Sequence, residues 1–561
     1  GISANINKWT ERLLKEDLDG AQSYYKVDGQ PLGERNPKWL QDDYVKFLRF
    51  AQWKIQQSGY GIVGMITNHS YLDNPTFRGM RQSLMKTFDE IYILDLHGNS
   101  LKKETTPAGG KDENVFDIRQ GVAIALFVKN KKPKESRVFH ADLYGLREEK
   151  YQWLQKNDFR KNNYEKIKPT SPYYFFKKID TEKVKQYLKW KQITDIFPVN
   201  SVGIVTARDH FVISFDKRDL KNRILQLQNL AHPDEIILQA FNLKEKFGWK
   251  IKDSRQEVAN ISDLDIYIKE ILYRPFDKRY LFYHQSLIER MRFEVMQHML
   301  EENIGLVTIR RSRNPEKWNF AFIANKLIAG ATAITSLDIN YLFPLYLYPE
   351  QSKKDNPGLN LTTMLIFEPG EKYGRKPNIA PIIFSRLAEH YPKRPSPEEI
   401  FYYVYAILYS NIYRETYVEF LKIDFPRVPF TADYEVFKNL GKSGKQLADL
   451  HLLKSPALDP PIARYQGSSP NDRIEKVIYQ EDEQRIYINN DKYFEGIAPE
   501  VWNYYIGGYQ VLHKYLKDRK GRTMDDAPHY CRIVTALSKT IEIQKQIDAI
   551  YPDVEKEIIK F

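Results

Sequence analysis

The stretch that most constrains the fold is Gly59–Asn99, GYGIVGMITNHSYLDNPTFRGMRQSLMKTFDEIYILDLHGN. It reads strand, loop, helix, strand. Gly61–Thr67 is a short apolar run, expected as a strand buried on both faces. Asn74-Pro75 breaks the chain, and Thr76 is placed to cap a helix carrying Phe77, Met80, Leu84 and Phe88 on one side. Ile91–Leu96 is the next strand, and the spacing implies a parallel pair with a right-handed crossover. His97–Gln120 is polar, contains Gly109-Gly110 and has no helical period. Gly121–Lys129, GVAIALFVK, is therefore expected to return antiparallel to its predecessor. A parallel sheet with one reversed strand is less common than an all-parallel one. The order corresponds to the back half of a nucleotide-type α/β sheet. The front half, where a cofactor loop would lie, is not in this sequence, so the chain is expected to be part of an enzyme.

The remaining chain is too long for one core. At 561 residues, three or four domains or subdomains are expected. Hydrophobic residues make up 42% and aromatics 14%, which excludes a disordered chain. The 38 Tyr and 30 Phe suit large cores and also stacking surfaces for bases. The formal net charge of +12 fits a polyanion such as DNA, and equally a solvated basic surface. One cysteine, Cys531, excludes an internal disulfide and any multi-cysteine metal site, and fits a reducing cytoplasm. No apolar run approaches a membrane span, and there is no signal-peptide pattern. The chain begins Gly1-Ile2-Ser3 without Met, as expected of a processed, trimmed or truncated chain.

Asp42–Gln57 has helical apolar spacing and is stopped by Ser58-Gly59. Lys129–Lys134 is a basic, Pro-containing boundary. From about Tyr151 the pattern becomes mixed. Extended pieces are expected around Ser201–Ser214, Leu264–Leu272 and Tyr273–Tyr283. A helix is expected over Ser286–Leu300, then strands at Ile304–Ile309 and Phe320–Ala324 flanking RRSRNPEKW. Ser352–Gly358 reads as a loop, Pro397–Leu421 as two aromatic-rich helices, and Ala536–Ile550 as a late helix.

In an open parallel sheet, ligands bind beyond the carboxyl ends of the strands. Those ends carry Asn68-His69-Ser70-Tyr71 and Asp95-Leu96-His97-Gly98-Asn99. Such side chains either line an active cleft or serve ordinary turn chemistry. The runs GIVGMITNHSYL, FRGMRQSLMKTFDEIYILDLHGN and NVFDIRQGVAIALFVK resemble the later motifs of gamma-class adenine-N6 DNA methyltransferases, above all those of type ISP restriction–modification enzymes. YRPFDKRYLFYH, TIRRSRNPEKW, YYVYAILYSNIYRETYVEFLKIDFPRVPF and YIGGYQVLHKYLKDRKGR resemble the C-terminal specificity region of the same family. The resemblance covers most of the chain.

It implies a Rossmann-like methyltransferase sheet with a reversed strand, present as its second half in residues 1–145. A mixed α+β DNA target-recognition domain would follow over 146–435, with the rest of the specificity region over 436–561. It also implies S-adenosylmethionine as cofactor of the complete enzyme and double-stranded DNA as partner. The family's Asn-Pro-Pro-Tyr loop, which grips the amino group of a flipped adenine, is absent, as is the glycine-containing cofactor loop. Gly1–Trp9 resembles the segment that follows the former. Asn36-Pro37-Lys38-Trp39 and Asn314-Pro315 are no substitutes, since neither has a second proline after a strand. A missing N-terminal methylase half, on the same or a separate polypeptide, is thus an implied partner.

Phe116 in ENVFDIRQG matches the family's base-contacting Phe, with burial as a loop aromatic the other reading. Asn68, His69 and Tyr71 would line the same cleft. DNA contacts are expected from Arg274, Arg279, Arg290, Arg292, Arg310, Arg311 and Arg313, which are interleaved with aromatics. A solvated charged turn is the other reading of 310–313. Gly441-Lys442-Ser443 lacks the first glycine of a phosphate loop, and no metal ligand set is predicted. A non-catalytic specificity module docking on a separate catalytic partner is the alternative function.

Overall fold

The computed structural model describes residues 7–561 except 19, 34–36, 101–103, 133, 159–163, 179–180, 247, 313–316 and 350–373. Two units divide the chain near residue 187.

The first unit is built on five strands: β1 (Gly61–Asn68), β2 (Glu90–Asp95), β3 (Val122–Lys129), β4 (Arg137–Asp142) and β5 (Glu165–Ile167). Their order in the sheet is β1-β3-β2-β4-β5. The reversed strand is where the sequence puts it in the chain, and its neighbours are now defined. β3 runs antiparallel to β1 from Gly61↔Lys129 to Asn68↔Val122, and antiparallel to β2 from Glu90↔Val128 to Asp95↔Ala123. β1 and β2 are therefore parallel in direction but not hydrogen-bonded to each other. β2 pairs in parallel with β4, which puts Asp95 opposite Asp142.

The expectation that Gly61–Thr67 is buried on both faces is wrong. β1 pairs on one side only among the described residues, and its burial alternates. Ile62 and Ile66 are 67% and 53% exposed, while Val63 and Met65 pack on the core. A strand has period-two side chains, so an uncovered face of the sheet exposes one whole set.

Helix α1 (Asp43–Ser58) buries Val45 and Leu48 and ends at Gly59, whose φ of +77° makes the left-handed cap. Helix α2 (Arg78–Thr87) buries Met80 and Leu84. Its entry is not capped by Thr76. Asn74 instead accepts a hydrogen bond from the Thr76 amide at 2.9 Å and starts a short 3-10 turn before the helix. Helix α3 (Arg147–Lys156) and β5 extend this unit past residue 145.

The second unit holds three four-stranded sheets among the described residues, one of them formed late in the chain by Arg464–Gln466, Ile478–Gln480, Arg485–Tyr487 and Tyr493–Glu495. The strands of the other two are β6 (Ser201–Val202), β7 (Ile213–Ser214), β8 (Ile268–Arg274), β9 (Asp277–Phe282), β10 (Gly305–Ile309), β11 (Ala321–Ala324), β12 (Leu327–Ile328) and β13 (Asn340–Pro344). The sheet orders are β7-β9-β8-β12 and β11-β10-β13-β6. Tyr273–Tyr283 is the turn and second arm of the β8–β9 hairpin, with Phe276 at φ +61° in the turn. The strands flanking RRSRNPEKW pair antiparallel as β10 and β11.

The long helix expected over Ser286–Leu300 is not formed. Arg292 takes φ +55°, which a helix cannot include, and only Phe293–Met296 is α-helical before a 3-10 turn. Pro397–Leu421 is one long helix followed by two short ones. Helices α4 (Lys217–Gln228), α5 (Pro397–Tyr409), α6 (Tyr434–His451) and α7 (Ala527–Val554) complete the frame. Ser396 and Glu399 form a capping box at the start of α5. α5 and α6 cross closely at Gly444, where a Cβ would enter the van der Waals shell of the Tyr402 carbonyl oxygen. Residue 436 lies inside α6, in the same unit as α5. No described helix is long and apolar enough to cross a membrane.

Candidate functional site

The carboxyl ends of β1, β2 and β4 in the first unit carry a buried polar cluster. Asp95 is fully buried and centres it. Asp95 Oδ1 lies 2.9 Å from His69 Nδ1 and accepts the His97 backbone amide at 3.0 Å. The Asn99 side-chain nitrogen is 3.1 Å from His69 Nε2. His97 sits at φ +52° and stacks on Tyr144 with ring centroids 3.8 Å apart. Its Nε2 is 2.8 Å from Asp142 Oδ1. Its Nδ1 is 3.8 Å from Asp95 Oδ2 and 3.7 Å from Glu104 Oε1, beyond hydrogen-bond reach.

Burial disfavours charge on His97, but the carboxylates of Asp142, Glu104 and Asp95 outweigh it and hold the imidazole up at about 9. Burial also works against ionised Asp95, yet His69 and His97 hold it far below the usual carboxylate range. His69, Asp95 and His97 bring one ligand atom each within 4.8 Å of one another, as do Asp95, His140 and Asp142, so either trio could hold a metal ion.

Beside it, Lys150 and Asp112 form a fully buried ion pair at 2.8 Å. Lys150 also donates to the Leu96 and Glu113 carbonyls, both at 2.7 Å. Asp112 accepts the Gly98 and Gly145 amides. Asn114 donates to the carbonyls of Gly98 and Gln120 and accepts the Phe116 amide at 2.9 Å. These three residues fix the loop before β3. Sequence reasoning missed them, because nothing in a polar loop distinguishes a buried charge from a solvated one.

The four residues expected in a target-base pocket are placed differently from one another. Phe116 is on that loop and 43% exposed, so its ring is available to a ligand. Asn68 is half-buried and its side chain accepts the Ser70 amide at 2.8 Å. His69 belongs to the buried cluster. Tyr71 is fully buried against Tyr44 and Phe176 in the hydrophobic core, so it is a packing residue and not a pocket wall.

The second unit brings the expected arginines into several settings. Arg279 donates to Asp277 Oδ2 at 2.8 and 3.1 Å and is sandwiched between Tyr273 and Phe215 at 3.8 and 3.9 Å. Arg274 pairs with Asp518 and donates to the Tyr509 hydroxyl at 2.6 Å. Arg519 reaches the other Asp277 oxygen at 2.7 Å. Asp277 and Asp518 thus lock three guanidinium groups into an aromatic wall, and the forks of Arg274 and Arg279 are committed within the protein. Arg310 donates to Asp424 at 2.8 Å. Arg290 is exposed, Arg292 and Arg311 are half-buried, and Arg313 lies outside the described residues, as do Asn36, Asn314-Pro315 and the 352–358 loop.

The Arg279 wall borders an open cleft of 1110 Å³. Its opposite side is the outer face of α4, from which Asp219, Asn222 and Gln226 face the cleft. Arg208 and Arg223 lie at its base. Arg208 donates to the Leu287 carbonyl, and Arg223 to the carbonyls of His210 and Phe211. Both guanidinium groups donate to neutral oxygens, and burial pulls the pKa of each below the ordinary arginine value. Arg522, exposed, leans over Phe215 at 4.7 Å.

The model of the Type ISP C-terminal specificity domain family matches residues 195–546. A solved nuclease-deletion mutant of the Type ISP restriction-modification enzyme LlaGI, in complex with a DNA substrate mimic, is similar with a TM-score of 0.65 at 22% identity, over 97% of this chain and 43% of that one. The ATP-dependent Type ISP restriction-modification enzyme LlaBIII bound to DNA gives 0.69 at 21% identity, over 97% and 36%. A DrdV–DNA complex gives 0.64 at 23%, over 92% and 53%. The chain thus spans from about a third to about half of these structures' length, and the likeness is one of fold. None of the curated proteins compared matches it.

Proposed function

Because this chain belongs to the Type ISP C-terminal specificity domain family, we propose that it recognises the DNA site of a restriction–modification enzyme and supplies the second half of that enzyme's adenine-N6 methyltransferase sheet. The complete enzyme would flip an adenine and transfer a methyl group from S-adenosylmethionine to its N6.

The observation that carries the methyltransferase part is the order β1-β3-β2, a reversed strand between two that share a direction. It is the arrangement the resemblance implies for the back of such a sheet. The exposed edge of β1, with Ile62 and Ile66 uncovered, supports a further strand and helix packing there. Phe116, exposed on a loop held by Asn114, suits the base-contacting role.

The S-adenosylmethionine site would lie mostly outside this chain, since no glycine-rich strand-to-helix turn stands among the described strand ends of the first unit. No step is therefore assigned to this chain through that cofactor. Its residues would shape the adenine pocket and recognise the DNA.

Titration calorimetry of the 561-residue chain with S-adenosylmethionine tests the division of labour. Weak or no binding is expected, and micromolar affinity would overturn it. The same β1 edge also favours a second reading, a non-catalytic specificity module docking on a separate catalytic polypeptide. Methylation assays with the upstream half fused or added as a separate chain distinguish the two.

A further inference from the structure

The recognition reading leaves open where bases are read; of the arginines singled out in the sequence, Arg274 and Arg279 spend their forks on Asp277 and Asp518. We propose that one strand of the recognised duplex lies in the 1110 Å³ cleft, with Asn222 and Gln226 of α4 reading base edges and Arg522 holding the DNA backbone. This rests on the DNA-recognition reading above.

Four features carry it. First, at 1110 Å³ the cleft exceeds the usual size of a small-molecule pocket, which suits a polymer. Second, its charge is unbalanced. Arg279 is paired with Asp277, whereas the Thr206 and Tyr273 hydroxyls that donate to Asp209 are neutral and leave its charge in place. What remains is Arg208, Arg223 and Arg522 against Asp209 and Asp219, an excess of one positive charge. The first two donate to backbone carbonyls and have no ion pair among the described residues, with Arg208 buried and stacked on Trp249 at 3.9 Å. A positive cleft attracts a polyanion.

Third, Asn222 and Gln226 are exposed on the cleft side and make no intramolecular side-chain hydrogen bond among the described residues. Four residues of helix separate them by about 6 Å along the axis, and successive bases rise about 3.4 Å, so the pair matches bases about two steps apart. Carboxamides can pair bidentately with adenine N6 and N7. Fourth, the helix that presents them is rigid. Asp216 caps it, and Leu220, Ile224 and Leu227 bury its other face.

The experiment is selection of bound sequences from a randomised duplex library by the 561-residue chain and by an N222A/Q226A variant. The wild type is expected to select a motif. The double variant should lose roughly 5- to 150-fold of preference at two positions of that motif about two steps apart, with its melting temperature, non-specific affinity and salt slope unchanged. An unchanged motif in the variant overturns the inference and leaves the recognition reading standing. A wild-type chain that binds duplex DNA without any sequence preference overturns the recognition reading itself, and the inference with it. Arg522→Ala should weaken binding to all sequences and lower the salt slope by about one. An unchanged slope would remove Arg522 from the DNA backbone.

Discussion

Arg279→Lys separates a wall-building arginine from a DNA-contacting one. A lysine keeps the positive charge, so a residue that merely holds phosphate would tolerate it. A residue that needs a planar fork and two stacking faces would not. Arg279 is 12% exposed and its partner Asp277 only 1%. The substitution removes one of two hydrogen bonds to a buried carboxylate, where each is worth about 1.5–3 kcal/mol. It also removes the sandwich between Tyr273 and Phe215, worth about 0.5–2 kcal/mol. Asp277 keeps Arg519 at 2.7 Å, so no bare charge is left buried. The net cost is therefore about 2–5 kcal/mol. At about 2 °C per kcal/mol for a large unit, the transition should fall by roughly 4–10 °C in scanning calorimetry. Arg522→Lys, on an exposed side chain with no carboxylate partner among the described residues, serves as the control and should stay within about 1 °C. If Arg279→Lys melted with the wild type while weakening DNA binding, the wall argument would be refuted and Arg279 would be a reader.

Gly444→Ala should destabilise the second unit by about 3 kcal/mol, since the added methyl meets the Tyr402 carbonyl and must push α5 from α6; thermal melting of the variant checks it. His451 is fully buried between the Tyr405 hydroxyl at 2.7 Å and Thr540 at 2.9 Å, and burial pulls its pKa down to about 3. Its folded value is below the ordinary 6.5, so its contribution is fully present above pH 6.5 and is lost as pH falls toward 3. Between pH 6.5 and 4.5 the loss is about 2–3 kcal/mol, and His451→Gln should flatten that part of a urea-denaturation profile. Lys150→Met leaves Asp112 buried without its cation and should cost about 3–5 kcal/mol in the same assay. Ile62→Asp with Ile66→Asp should leave the melting of this chain within about 1 kcal/mol, because both side chains are exposed. In the complete enzyme the same pair should abolish methylation, and full activity would show that nothing packs on that face.

What the sequence made legible was local. The order of elements, the α1 stop at Gly59 and the reversed strand all follow from apolar period and glycine placement. The β10–β11 hairpin was legible in the same way. What it hid depends on partners far along the chain. The apparent helix over 286–300 has the right apolar spacing, yet Arg292 adopts a left-handed backbone and only one α-turn survives. Arg274 and Arg279 look like nucleic-acid ligands until Asp518, more than two hundred residues later, closes on them. Tyr71 looks like a strand-end polar residue until Tyr44 and Phe176 enclose it. Asn222 and Gln226 carried no signal at all, because exposed carboxamides on a helix are common and only the cleft opposite gives them a setting.

β1 and β3 show how far composition reaches and where packing takes over. Both are apolar runs, GIVGMITN and GVAIALFVK, and both read as covered strands. β3 lies between two neighbours, and Val122, Ala123, Ala125 and Phe127 are buried. β1 has one neighbour among the described residues, and its Ile62 and Ile66 meet solvent. An exposed edge usually carries charge, proline or a bulge that blocks further pairing. β1 carries none of these along Gly61–Asn68, and pairs with β3 in an unbroken register. The residue types at 62 and 66 are those of a strand that is covered on its outer face. That mismatch between residue type and exposure supports assembly at this edge, and it ties the proposed adenine pocket to a surface that charge substitutions at two positions can test.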